Sequence, residues 1–416
     1  MGKQKHKAEA MRGRKRLTAG AILEVSIERL LPGGVGLAHA EGQTILVALA
    51  APGDRLHVRV ERARGNVVFA SIKEIIAPSP LRVEPPCPYF GRCGGCDFQQ
   101  LTYQAQLAAK VDIIRDCLRR IARIEPPSDI PITASPLAWH YRSRAQWQVD
   151  ALHRRLGYFE RGSHRVCDVT VCPVLTPLLQ ETLLDLRERM RNGLLPSNIE
   201  EFQGVAGDDS ASLAPPLDTG GATPETARTI GDHRYRFSAD GFFQINHELL
   251  APLINAALDE ARGDTAVDLY CGVGLFTLPL ATRFTRVLGV EANAAAIAYA
   301  RRNLDDAGLT NAVVERDKVS DWLKDNAERL APVDYLLLDP PRAGAEEGAT
   351  GGILSLRPRH IAYVSCDPAT LARDLKELLD GGYRLDTIAA FDMFPQTHHV
   401  EVVAHLASHR LINNKS

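Results

Sequence analysis

The spacing of apolar residues divides the chain into stretches with different periods. Residues 17–75, LTAGAILEVSIERLLPGGVGLAHAEGQTILVALAAPGDRLHVRVERARGNVVFASIKEII, form short β-rich runs separated by PGG, EG, PGD and RGN turns. Strands at this spacing predict a five-stranded barrel of the OB type, a common oligonucleotide surface, with an SH3-like structural barrel as the alternative. The stretch that begins at Pro78 is rich in Pro and Gly, so it is a loop pinned by something other than secondary structure. Tyr103–Arg123 carries apolar residues at Leu107, Ile113, Ile114, Leu118 and Ile121, the spacing of an amphipathic helix. Residues 130–240 read as mixed α+β, with strands expected at Arg144–Val149 and Gly157–Phe159. Within them, Gly204–Thr226 is Gly/Asp/Pro-rich and is expected to be a partly disordered loop. From about residue 262 the pattern turns to strict strand–helix alternation. Strands are expected at Ala266–Tyr270, Arg286–Glu291, Ala312–Glu315, Val333–Asp339, His360–Ser365 and His399–His405, with helices such as Ala294–Ala307 and Ala369–Leu379 between them. This is the signature of a parallel α/β sheet covered on both faces.

Composition narrows the class. The 416 residues are 45% hydrophobic and 24% charged, which suits two or three globular domains and excludes a collagen-like or fibrous chain. No apolar run reaches the ~18–20 residues of a membrane helix. The basic start, MGKQKHKAEAMRGRKR, has no apolar segment behind it, so a cytoplasmic protein is expected, and a monomer. Residues 1–16 hold seven Lys and Arg against the single acid Glu9, although the whole chain carries a net charge of only −2. Such a tail is either a solvated, disordered segment or an arm that meets phosphates. Three of the eight cysteines, Cys87, Cys93 and Cys96, fall within ten residues. In a reducing compartment that clustering favours a metal or cluster over disulfides.

The chemistry sits at the expected strand ends, where ligands bind in open α/β sheets. Asp268–Phe276 reads DLYCGVGLF, a strand running into a turn where Gly272 and Gly274 let the backbone approach a ligand. It is not the GxGxxG of dinucleotide sites. With Glu291 ending the next strand, it resembles the S-adenosylmethionine site of class I methyltransferases. Asp339-Pro-Pro-Arg342 stands where amino-methyltransferases carry an aromatic fourth residue, and the arginine disfavours adenine N6 chemistry. The string YVSCDPATLARD places Cys366 between a strand end and a helix start, where the helix N-terminus is expected to favour thiolate. The string FPQTHHVE adds Glu401 and the imidazoles of His398 and His399. A nucleophile beside a carboxylate base is what methylation at carbon 5 of a pyrimidine requires. That carbon is a poor nucleophile until a thiolate adds to carbon 6.

These strings resemble the uracil-5 RNA methyltransferase family, and the resemblance runs from about residue 15 to residue 405. It implies a class I S-adenosylmethionine methyltransferase domain, a Rossmann-like doubly wound sheet, over residues 241–416. Ahead of it would come a TRAM-like OB-type barrel at 17–75 and a mixed α+β central region at 76–240. Carried over residue by residue, Cys366 is the nucleophile and Glu401 the base, with His398 or His399 the next base to test. Gln244 of the string FFQIN, Tyr270, Glu291 and Asp339 match positions that bind S-adenosylmethionine. Leu275 departs from members that carry an asparagine contact there. The spacing Cys87-x5-Cys93-x2-Cys96 is not that of radical enzymes, and three thiolates need a fourth ligand to hold zinc or a [4Fe–4S] cluster. Cys172 resembles the family's distal ligand, with Cys167 as runner-up. The string CGGC resembles the ribosomal-RNA branch, in which the site holds [4Fe–4S]. Together with the barrel it favours 23S rRNA as the partner, with tRNA as the alternative. Tyr89, Phe90 and Phe98 either stack on displaced bases or pack around the cysteines. The rival from another class is a non-catalytic RNA-binding protein, against which Cys366 and Glu401 both stand.

Overall fold

The computed structural model describes residues 17–196, 198–217 and 222–409, so the basic tail at 1–16 lies outside the described residues. The chain divides into two compact units. One holds the residues up to Gly91 with Gly95–Ile113 and Gln396–His398; the other holds Arg92–Gly94, Ile114–Pro395 and the residues from His399.

The first unit is built on a six-stranded sheet: β1 (Ile22–Ser26), β2 (Arg29–Leu31), β3 (Val35–Ala40), β4 (Gln43–Val47), β5 (Arg55–Arg64) and β6 (Val67–Ala77). Their order is β1-β5-β6-β4-β3-β2. Six strands replace the five expected because the run from Ile22 to Leu31 breaks at Ile27–Glu28 and pairs as two pieces. Alternate residues such as Val25, Ile45, Leu56, Val58 and Val68 point into one buried core. Between Val60 and Arg62 the β5–β6 register shifts, leaving Glu61 without a partner in the ladder. The outward phase of β5 therefore changes from odd to even positions, and Arg59, Arg62 and Arg64 are all exposed. The Arg62 guanidinium lies 4.2 Å above the Phe69 ring. The Pro-rich stretch is pinned at its start by buried Asp54, which accepts from Ser79 N at 2.9 Å and from Arg82 Nη2 at 2.5 Å. Helix α1 (Tyr103–Cys117) follows, and its chain enters the second unit at Ile114.

In the second unit a π-helical turn, Leu118–Ala122, directly follows α1. That turn corrects the expected helix over Tyr103–Arg123. The wider turn shifts the helical phase, so Ile121, expected to be buried, is 36% exposed. Strands β7 (Ile132–Thr133), β8 (Arg144–Asp150), β9 (Arg155–Phe159) and β10 (Val166–Asp168) precede α2 (Pro177–Arg191) and β11 (Glu201–Ala206), β12 (Ala211–Ala214) and β13 (Ala222–Thr223). A sheet of order β10-β9-β8-β11-β12-β13 results. Much of the loop expected over Gly204–Thr226 is thus strand. Its Gly and Asp residues make the 207–210 turn, while Ala211–Ala214 is buried. Buried Arg187 of α2 ties helix to sheet by donating to Asp168 at 2.5 Å and 2.9 Å.

The rest of this unit is the hairpin β14 (Thr226–Ile230) and β15 (His233–Phe237), helix α3 (Leu250–Leu258), and a large sheet. In chain order the sheet region runs β16 (Gly263–Leu269), α4 (Thr277–Ala281), β17 (Phe284–Glu291), α5 (Ala294–Asp306), β18 (Ala312–Arg316), α6 (Val319–Leu330), β19 (Tyr335–Leu338), α7 (Ala349–Leu356), β20 (His360–Ser365), α8 (Pro368–Asp380), β21 (Tyr383–Phe391) and β22 (Glu401–Ser408). The spatial order is β18-β17-β16-β19-β20-β22-β21-β7. Winding reverses between β16 and β19, which opens a crevice beyond their carboxyl ends. The sheet is mixed rather than wholly parallel: β22 runs antiparallel to both β20 and β21. No helix separates β21 from β22, so no crossover can restore the parallel direction. Among the described residues no helix is long and apolar enough to cross a membrane.

Candidate active site

At the carboxyl ends of β16, β17, β19 and β20 lies a cavity of about 550 Å³, whose lining includes Gln244, Tyr270, Glu291, Asp339, Cys366 and Glu401. These are the six residues expected to react or to bind cofactor, drawn from separate stretches of sequence. Its size suits a drug-sized ligand. The turn after β16 is made by positive φ at Tyr270, Gly272 and Gly274 (62°, 55° and 93°). At Gly274 the φ of 93° favours glycine, and a Cβ there would stand 2.8 Å from Leu278 Cδ1, so that side chain would also have to shift. Glu291 Oε2 accepts from Gly272 N at 3.2 Å, and its Oε1 accepts from Asn293 N at 2.7 Å. Asn293 caps α5 in turn. Phe243 stacks on Phe237 with ring centroids 4.0 Å apart. This anchor turns Gln244 inward, where its Nε2 donates to Asp339 Oδ2 at 3.2 Å. Its neighbour Phe242 lines the cavity with 62% of its surface exposed.

Cys366 and Glu401 meet through strand register. Ser365 pairs with Val402 across β20 and β22, so the next pair along that antiparallel ladder is Cys366 and Glu401. Glu401 is buried, and among the described residues its Oε1 has no hydrogen-bond partner. Burial pushes the Cys366 thiol up to about 12; the Glu401 carboxylate adds to this, while the charge and hydrogen bond of Arg342 act against it. The thiol is therefore not lowered, as its place before a helix led one to expect. Asp367 caps α8 with its own carboxylate, taking the Ala369 and Thr370 N–H groups that would otherwise have favoured a thiolate. Burial likewise raises Glu401 and Asp339, with the Asp339 carboxylate adding to the Glu401 shift and Arg342 easing it. Beneath the turn, Asp268 is raised to about 7 by burial, although its Oδ2 accepts from Thr277 Oγ1 at 2.6 Å.

Of the expected metal ligands, Cys93 and Cys172 belong to this unit and Cys87 and Cys96 to the other. All four are half-buried. Cys172 Sγ accepts from the Tyr158 hydroxyl at 3.9 Å, and Cys93 also bears on that half-buried tyrosine, so two thiols act on one side chain. Cys167 is 1% exposed and its Sγ accepts from Arg92 Nε at 3.2 Å, which sets the runner-up apart from Cys172. By their chemistry, half-buried thiols are donors that zinc or an iron–sulfur cluster takes as thiolates. Among the described residues, no group of three or more His, Cys, Asp or Glu side chains is gathered closely enough to hold a metal ion. Of the aromatics near the cysteines, Phe98 is fully buried in the first unit, so it packs rather than stacks on bases.

Comparison with known proteins agrees with this geometry. Residues 227–409 match the family described as tRNA (uracil-5-)-methyltransferase, and residues 16–73 match the TRAM domain. The chain is 33% identical to a 23S rRNA (uracil(1939)-C(5))-methyltransferase of Alkalilimnicola ehrlichii, over 92% of this chain and 95% of that protein. The chain belongs to the RNA uracil-5-methyltransferase family. An uncharacterized RNA methyltransferase of Thermosynechococcus vestitus is 31% identical over 94% of this chain and 98% of its own length. The crystal structure of Pyrococcus abyssi tRNA (uracil-54, C5)-methyltransferase in complex with S-adenosyl-L-homocysteine superposes with a TM-score of 0.71 at 26% identity. That match covers 92% of this chain and 100% of the other. Two residues of this uracil-5-methyltransferase do not stand out as site residues in the sequence. Arg342 is notable there only for the aromatic it replaces, although its position three residues after Asp339 carries the signal. Phe242 is only context for Gln244; the signal is a second phenylalanine where one suffices for the core.

Proposed function

We propose that this enzyme transfers a methyl group from S-adenosylmethionine to carbon 5 of a uridine in 23S rRNA through a covalent bond between Cys366 and carbon 6. The observation that supports this best is the Cys366–Glu401 pair, adjacent in register at one side of the cavity. Gln244, Tyr270, Glu291 and Asp339 hold the cofactor, which supplies an electrophilic methyl group. The exposed face of Phe242 receives a uridine that has left its stack. Cys366 loses its proton to water with Arg342 steadying the thiolate, and its Sγ attacks carbon 6. The electron pair moves through carbon 5 to the O4 oxygen; as it returns, carbon 5 takes the methyl group, whose bond to sulfur breaks to leave S-adenosylhomocysteine. Glu401 as carboxylate removes the carbon 5 proton, and the pair left behind expels Cys366 as thiolate. A base with a raised pKa is strong when ionised, which suits this last step.

The target assignment rests on the 23S rRNA relatives and the TRAM match; the likeness to the Pyrococcus abyssi tRNA enzyme supports tRNA as the second reading. We further assign Cys87, Cys93, Cys96 and Cys172 as ligands of a [4Fe–4S] cluster, and the protein as a cytoplasmic monomer. Mapping 5-methyluridine in rRNA and tRNA from a strain lacking the gene tests the target. One 23S position should lose its methyl group and regain it on complementation. Loss confined to tRNA would replace the ribosomal assignment, and loss from neither RNA would refute both.

A further inference from the structure

Beside the cavity, a second set of buried polar groups has no part in the chemistry above. Asp374 of α8 is 2% exposed, and its carboxylate collects three donors. Tyr363 Oη donates to Oδ2 at 2.6 Å, Ala345 N donates to the same oxygen at 2.9 Å, and Arg373 Nε donates to Oδ1 at 2.7 Å. The Arg373 fork also donates through Nη2 to Ala343 O at 3.1 Å. Asp374 and Arg373 thus grip the segment Ala343–Ala345 by its backbone. Gly344 turns there with φ of 83°, and a Cβ would come within 2.7 Å of Asp374 Oδ2, so the grip leaves no room for another residue.

The gripped segment joins the two halves of the reaction. Arg342, which lines the cavity with Cys366 and whose charge acts on that thiol, immediately precedes it. Glu346 follows it, donating its N–H to the Tyr270 hydroxyl at 3.1 Å on the cofactor side. A flexible arginine on a Pro-rich turn would lose its alignment with a sulfur unless the backbone behind it were fixed.

We propose that Asp374, held by Tyr363 and Arg373, is a positioning residue that locks the Ala343–Ala345 backbone so that Arg342 stays aligned on the Cys366 sulfur. Its charge satisfies donors in the protein and never touches substrate. This inference rests on Cys366 being the nucleophile of the proposed reaction.

The test follows alkylation of Cys366 by iodoacetamide in the full-length protein across pH, read on the Cys366 peptide by mass spectrometry, with kcat and KM beside it. Asp374→Asn should slow alkylation at pH 8 by about three- to tenfold, as Arg342→Ala does, because the thiolate loses its cation. The double variant should be no slower than Arg342→Ala alone, since both act through one group. In Asp374→Asn kcat should fall more than KM rises. Tyr363→Phe removes one donor without leaving a buried charge unpaired, and it should move the alkylation profile the same way by a smaller factor. It replaces the asparagine variant if circular dichroism shows that variant unfolded. A folded variant with the parental Cys366 profile overturns the proposal, as does a double variant slower by the product of the two effects. The underlying reading fails separately: if Cys366→Ala still methylates uridine, Cys366 is not the nucleophile whatever Asp374 does.

Discussion

Cys366 and Glu401 oppose each other's ionisation in the free protein, because a buried carboxylate raises the thiol and a thiolate would raise the acid further. In the proposed reaction their roles are sequential, so their variants should fail differently. Cys366→Ala is expected to form neither adduct nor product. Glu401→Gln keeps the nucleophile but loses the base, which typically costs ~10²–10⁴-fold. A methylated RNA–protein adduct that survives denaturing electrophoresis should accumulate, and normal turnover by this variant would reassign the base to His398 or His399. A second prediction concerns Asp268, raised by burial to about 7. Its native form binds a proton that the unfolded chain releases near pH 4, so this contribution is full below pH 4 and is lost as pH rises through about 7. Asp268→Asn should flatten that part of the pH–stability curve and stabilise the cofactor-free protein near neutrality by roughly 1–4 kcal/mol. Thermal melts from pH 4 to 8 decide it; an unchanged slope would mean Asp268 is ionised. The proposed reacting residues were legible because a Cys at a strand end and an acid after FPQTHHV are unusual residues in telling places. The thiol's direction was not, because the cap that Asp367 makes and the burial of Cys366 are three-dimensional facts.

Among the elements, the β16–α4 turn is held by backbone conformation at two glycines. Gly274→Ala forces a side chain onto φ of 93° and against Leu278, a strain of about 1–3 kcal/mol. The variant should melt earlier and bind S-adenosylmethionine more weakly by calorimetry, whereas Gly272→Ala, with nothing within 4 Å of its Cβ, should suffer only from its φ of 55°. Equal losses in both would show that space is not what selects glycine at 274. The alternation of β16 to β20 with helices was readable from hydrophobic period alone, because buried parallel strands are continuous apolar runs. Strand β21 was not: Arg384 and Asp386 interrupt it, as befits a strand far from the sheet centre. The β11–β12 pair was hidden by the Gly and Asp residues of its own turn, and the π-turn after α1 leaves no mark in the apolar spacing.

For the molecule as a whole, RNA binding should draw on the TRAM sheet as well as on the cavity. Glu24 pairs with Arg55 and Glu74 with His57, and Arg59, Arg62 and Arg64 add three exposed guanidinium groups along the same strand. Replacing those three arginines with alanine should flatten the dependence of log K on log salt by ~0.7–0.9 for each phosphate they neutralise. Filter binding to an rRNA fragment from about 50 to about 300 mM salt checks this, and an unchanged slope would show that the sheet face does not meet RNA. Protein purified without oxygen should carry about four irons per chain. Cys172→Ser should lose them and Cys167→Ser should keep them, while stoichiometric zinc in the parent would show that the metal was misassigned. Spacing singled out Cys87, Cys93 and Cys96 in the sequence, and the family resemblance singled out Cys172. The outward arginines were not visible as a set, because Glu61, which the ladder leaves unpaired, changes the phase of β5 midway.

That the proposed nucleophile and base, Cys366 and Glu401, are neighbours across two antiparallel strands constrains how such enzymes can diverge. Side chains alternate along a strand, so a slip of one residue in β22 carries Glu401 to the opposite face, and only slips of two return an equivalent position. The distance between the two groups is therefore inherited in discrete steps set by the backbone ladder. Lineages can lengthen or rewrite the connection between β21 and β22 while the spacing of the pair stays constant, but an insertion or deletion of one residue inside β22 removes the base in a single event.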